Sequence, residues 1–124
     1  LKWKIKYKEK TFDYEIDQIA NKLSKIKYPQ SCCLDSGIAG IIEALLDYED
    51  VFERATYLDS IRSFFDQISY FIIKKDSNFY IASKNFISSG IDYGGGSGGI
   101  VTTYNRFKSL IDRCEKNYDT KSRF

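Results

Sequence analysis

Leu1, Trp3, Ile5 and Tyr7 alternate with Lys2, Lys4, Lys6 and Lys8, the period-two pattern of a strand with one face on a core and one in water. A row of lysines also discourages edge-to-edge pairing, which suits the edge of a sheet. From Phe12 the period changes. Phe12, Ile16, Ile19, Ala20, Leu23 and Ile26 fall on one helical stripe, with Asp13, Glu15 and Asp17 early and Lys22, Lys25 and Lys27 late, as the helix dipole favours. Tyr28-Pro29 ends that helix. After a loop over 30–36, with Asp35 or Ser36 expected as the cap, a second helix carries Ile38, Ile41, Ile42, Leu45, Tyr48 and Phe52 on one side. Its opposite side carries Glu43, Asp47 and Asp50, spaced i, i+4, i+7, within about 60° of one another at 100° per residue.

Ala55, Leu58, Ile61, Phe64, Phe65 and Ile68 predict a third helix, joined near Glu53 by a tight turn or a continuous bend. The aromatic and β-branched run 70–73, the polar Asp76-Ser77-Asn78 and the run 79–81 predict a β-hairpin. A short strand is expected over 85–91. Five glycines among residues 94–99 predict a flexible loop, and Tyr104, Phe107, Leu110, Ile111, Cys114 and Tyr118 a last helix. The order is β-α-α-α-β-β-α, and the expected class is α+β: a small antiparallel sheet with about four helices on one face. With 124 residues, no internal repeat and no linker, the chain reads as one domain over 1–124.

The absence of histidine removes the commonest general base, the commonest metal ligand and every Ser/His or Cys/His nucleophilic pair. Cys32, Cys33 and Cys114 form no C-x-x-C, and neighbouring cysteines rarely bridge each other, so buried reduced thiols and a cytoplasmic setting are expected. No signal-peptide plan and no run of membrane-spanning length is present, because lysines interrupt the amino-terminal apolar residues. No metal and no cofactor is expected. Gly94, Gly96 and Gly99 fit G-x-G-x-x-G, but any glycine run fits any glycine spacing, and the Lys-Ser/Thr of a P-loop is missing. Carboxylate pairs such as Glu43 with Asp47, or Asp59 with Asp66, fall on faces expected to be solvated, where they keep ordinary chemistry. Catalytic residues are therefore not assigned. In the lysine-row strand the lysines and aromatics point to opposite faces, so nucleic-acid binding is not expected either.

Charge is distributed unevenly around a net of +2. Residues 1–27 carry eight lysines against four acids, net +4; residues 35–66 carry eight acids against two arginines, net −6; residues 67–124 carry nine bases against five acids, net +4. The acidic face of Glu43, Asp47 and Asp50, with Asp35, Glu49 and Glu53 nearby, suits a basic partner. Ten tyrosines and nine phenylalanines exceed what a small core needs, and tyrosine is favoured at interfaces. Tyr14, off its helix stripe, and Tyr93 and Tyr104, beside the glycine run, are the tyrosines expected to be exposed.

In size and character, on the strength of Glu43, Asp47, Asp50 and the tyrosines, the chain resembles the small bacterial immunity proteins of contact-dependent growth inhibition systems. No motif of that group is matched. The resemblance implies a non-catalytic protein that neutralises a cognate toxin, a basic effector, by plugging its active site or gripping a surface beside it. The alternative is a histidine-free RNA-directed toxin or nuclease with Lys84, Arg106 and Lys108 on phosphates; a third reading is a ligand-binding domain closed by residues 94–99.

Overall fold

The computed structural model describes residues 10–27, 29, 31–82 and 94–122, with side chains to 119. Among them the order is α1 (Asp13–Ser24), α2 (Ile38–Phe52), α3 (Leu58–Ile68), a 3-10 turn (Ser69–Phe71), β1 (Ile72–Lys75), β2 (Asn78–Ile81) and α4 (Ser97–Ser122). The class is α+β and mostly helical. The expected strand over Leu1–Tyr7 and the one over 85–91 lie outside the described residues, as do Tyr28, Lys84 and Tyr93.

Helix α2 is the centre. Its sequence is apolar around most of its circumference, the composition of a helix surrounded by others. Ile38, Ala39, Ile42, Leu45, Leu46 and Tyr48 are all buried, and α1, α3 and α4 each pack against it. Ala20 of α1, Ile61, Phe64 and Ile68 of α3, and Ile100, Phe107 and Leu110 of α4 complete the core. The core is thus helix on helix. The sheet does not cover the helical stripes as expected, because it is one short antiparallel ribbon whose residues 72–80 are all exposed. On α1 only part of the stripe is covered: Ala20 is buried, while Phe12, Ile19 and Ile26 are exposed.

Two polar expectations at helix starts give way to backbone solutions. Asp35 and Ser36 do not cap α2; Ser36 Oγ donates to Asp35 Oδ1 at 2.9 Å, and the N-cap is Gly37. The first amides are satisfied by the preceding segment, Ile38 N–H donating to Ser31 O (3.0 Å) and Ala39 N–H to Cys32 O (3.2 Å). That approach needs glycine. A Cβ on Gly37 would lie within 3.0 Å of Ser31 O and Cys33 N, and one on Gly40 within 3.0 Å of Leu34 O.

The glycine run is not a loose loop either. Its last residues, from Ser97, are the first turn of α4, and Gly96 and Gly99 are buried. Gly94 O accepts the N–H groups of Leu34 (3.0 Å) and Asp35 (3.2 Å), and the Cys33 thiol donates to Gly95 O at 3.0 Å. No described glycine has positive φ, so these positions do not use glycine for left-handed backbone. Helices α2 and α4 both open on Gly-x-x-Gly-Ile, at Gly37–Ile41 and Gly96–Ile100.

The α2–α3 junction is a tight turn. Glu53 is left-handed (φ 51°, ψ 44°) and Arg54 N–H returns to Glu49 O at 3.2 Å. In the ribbon, Ile72 pairs with Ile81, Ile73 with Tyr80, Lys74 with Phe79 and Lys75 with Asn78. Asp76 and Ser77 both have positive φ, 50° and 66°, as a two-residue type I′ turn requires.

Candidate functional site

The i, i+4, i+7 spacing does bring Glu43, Asp47 and Asp50 together, but they face α4 and not water. Arg106 sits among all three. Its Nη1 donates to Glu43 Oε2, and its Nη2 to Asp47 Oδ1 at 2.6 Å and to Asp50 Oδ2 at 2.8 Å. Arg113, two turns further along α4, donates to Asp50 Oδ1 at 2.8 Å, and the buried Thr103 hydroxyl donates to Glu43 Oε1 at 2.8 Å. Thr103, Arg106, Leu110 and Arg113 recur at helical spacing, so one face of α4 supplies both the donors and a core leucine.

The carboxylate side chains are 23%, 23% and 33% exposed, and Arg106 30%. Partial burial works to raise the pKa of Asp50, but hydrogen bonds from Arg106 and Arg113 outweigh it and hold the carboxyl below its ordinary range. Burial opposes the charge on Arg106, and the three carboxylates more than restore it. The expected solvated acidic face is therefore an internal ion-pair clasp between α2 and α4.

Glu49, grouped with that face by sequence, is fully buried and has a different task. Its carboxylate accepts the backbone N–H groups of Thr56 (2.9 Å) and Tyr57 (2.7 Å), capping α3 from within α2. Burial raises its pKa, and the two N–H donors only partly offset this. Close by, Tyr48 donates to Asp17 Oδ1 of α1 at 2.6 Å and accepts from Arg54 at 3.3 Å. Burial, then the Asp17 carboxylate, push the Tyr48 phenol up to about 12, so it serves as a donor that ties α1 to α2. Its ring stands against Phe52 and Tyr57, with centroids 4.6 and 5.2 Å away.

The predicted tyrosines separate. Tyr14 is 72% exposed on α1, whereas Tyr104 is half exposed, edge-on to Phe65 at 5.5 Å. Tyr93 lies outside the described residues. Aromatics that sequence did not single out are as prominent: Tyr70, in the 3-10 turn before β1, is 87% exposed, and Phe79 on the ribbon 70%. The RNA-contact set loses Arg106 to the clasp, and Lys84 lies outside the described residues. A groove of about 520 Å³ between the end of α1 and the start of α2, lined by Leu23, Ile26, Leu34 and Ile41, does not involve residues 94–99.

The three thiols are free. Cys32 Sγ donates to Ala82 O at 3.5 Å, and burial pushes its pKa up to about 11. Among the described residues no group of His, Cys, Asp and Glu is arranged to hold a metal, and no helix is long and apolar enough to cross a membrane. Compared with known proteins, the chain matches no family model, and no curated sequence and no solved structure is significantly similar to it.

Proposed function

We propose that the chain is a non-catalytic protein-binding module of the immunity type, which neutralises a toxin or effector protein by occupying its working surface. The observation that carries the reading is the ribbon, where Ile72, Ile73, Phe79 and Tyr80 are all exposed, with Tyr70 exposed in the 3-10 turn that leads into it. An isolated two-stranded hairpin is marginal in water, and exposed aromatics of this kind are favoured interface anchors. The polar chemistry points the same way. Glu43, Asp47 and Asp50 are paired with Arg106 and Arg113 in the clasp, and Cys32 is buried and held protonated.

The test is protection. The reading expects a toxin gene beside this chain's own; cells expressing that neighbour's product should survive when the chain is co-expressed and die when it carries Tyr70→Ser with Phe79→Ser. Growth arrest by the chain alone, with RNA cleavage by the purified protein, would overturn the reading in favour of a histidine-free nuclease.

A further inference from the structure

The ribbon also constrains what can cover it. Residues paired directly across two strands share a face, so Ile72, Lys74, Phe79 and Ile81 form one side and Ile73, Lys75, Asn78 and Tyr80 the other. Each side therefore shows an aliphatic residue, an aromatic and one lysine. Among the described residues the ribbon is anchored at its base: Phe71 and Ile81 pack on the helical core, and Ala82 N–H donates to Phe71 O at 3.0 Å. Beyond that, the side chains of both faces are exposed. On one face the Lys74 ammonium stands 5.9 Å from the Phe79 ring centroid, and among the described residues neither Lys74 nor Lys75 forms an ion pair.

The acidic trio that the sequence pointed to is not free, and on the ribbon two lysines outnumber the one acid, Asp76 in the turn. Glu43, Asp47 and Asp50 are paired with Arg106 and Arg113, while Lys74 and Lys75 carry their charge to water beside exposed aromatics. Resting on the protein-binding role above, we propose that the ribbon over residues 72–81 inserts into a cleft of the partner protein whose walls are apolar and whose rim is acidic.

The two-sided layout selects a protein cleft over a nucleic acid. Single-stranded nucleic acid needs a basic track and stacking rings on one surface, whereas here each face holds a single lysine and a single aromatic. A flat protein surface would cover one face and leave the other wet. Two walls, each about 10 Å from the ribbon in the manner of stacked sheets, cover both. Carboxylates at the rim would meet Lys74 on one side and Lys75 on the other, hastening encounter and fixing orientation.

The test maps amide resonances of the labelled chain during titration with poly(Glu,Tyr), a protein-like polymer offering carboxylates and aromatic rings, and in parallel with poly-uridylate. At low salt poly(Glu,Tyr) should shift residues of both strands, and Lys74→Glu with Lys75→Glu should weaken its binding at least tenfold. Phe79→Ser and Tyr80→Ser, on opposite faces, should each weaken it severalfold with unchanged Tm. Shifts confined to the lysines of α1, tighter binding of poly-uridylate at the ribbon, or sensitivity to only one of the two faces would overturn the proposal. Such a result with growth protection intact removes the cleft and leaves the inhibitor role; intact ribbon binding without protection does the reverse.

Discussion

Arg106→Leu is the most informative single change, because it keeps most of the buried volume and deletes the charge that three carboxylates share. The magnitude follows from burial. Exposed ion pairs contribute about 0.2–1 kcal/mol, and stranding a fully buried partner costs about 3–5 kcal/mol. Side chains here are 23% to 33% exposed, between those limits. A loss of about 2–3 kcal/mol is expected, which at a urea m-value of about 1.5 kcal/mol/M moves the midpoint down by about 1.3–2 M. Arg106→Lys should recover only part, since an ammonium cannot reproduce the fork that reaches all three acids. Adding Glu43→Gln, Asp47→Asn and Asp50→Asn to Arg106→Leu should restore most of the stability, because the charge left without its carboxylate is then Arg113, whose side chain is 62% exposed and hydrated. A pH series supplies the sign. Asp50 has a folded pKa below its unfolded one, so its contribution is present above about pH 3.9 and is lost as pH falls through the folded value. Arg106→Leu should shrink that acid-limb loss to the part that Arg113 sustains. A midpoint within about 0.3 M of wild type, or no recovery in the neutralised variant, would refute the clasp as a stabilising element.

Glu49→Ala should cost about 1–2 kcal/mol by uncapping α3, measured by urea unfolding. Glu49→Gln tests the pKa: burial raises the folded value, so wild-type stability relative to Glu49→Gln should be lower at pH 7 than at pH 4, the opposite slope to Asp50. Gly40→Ala should lower Tm by about 4–12 °C, although helix propensity alone would favour alanine by about 1 kcal/mol, because the added Cβ meets the Leu34 carbonyl. A raised Tm would show that this approach relaxes freely. With a thiol reagent at neutral pH, Cys114 should react first and Cys32 and Cys33 only on unfolding; a fast Cys32 would contradict its burial.

Periodicity made the four helices, the hairpin and the α+β class readable, because apolar spacing reports which face a helix or strand turns inward. It misread two things that depend on neighbours. The face bearing Glu43, Asp47 and Asp50 has the pattern of a solvated one, and only Arg106 and Arg113 on α4, themselves i, i+7 apart, reveal that another helix covers it. That matched spacing was visible but is one pairing among many. Residues 94–99 look mobile in sequence because glycine lowers the cost of disorder, whereas the Gly94 carbonyl is fixed by the Leu34 and Asp35 amides and Ser97 already opens α4. Glu49 could not be told from its acidic neighbours, since its role depends on the left-handed turn at Glu53 that brings Thr56 and Tyr57 back to it.

The Glu49 cap and the Arg106 clasp differ in how far along the chain they reach, and this sets an order of assembly. Glu49 meets amides 7 and 8 residues away, whereas Arg106 meets carboxylates 56 to 63 residues away. Closing the long loop costs more chain entropy and must wait for the core to bring the helices near. The corner of α2 and α3 is therefore the early-forming unit and α4 the late arrival. Substitutions at Glu49 should slow refolding, while those at Arg106 should chiefly speed unfolding.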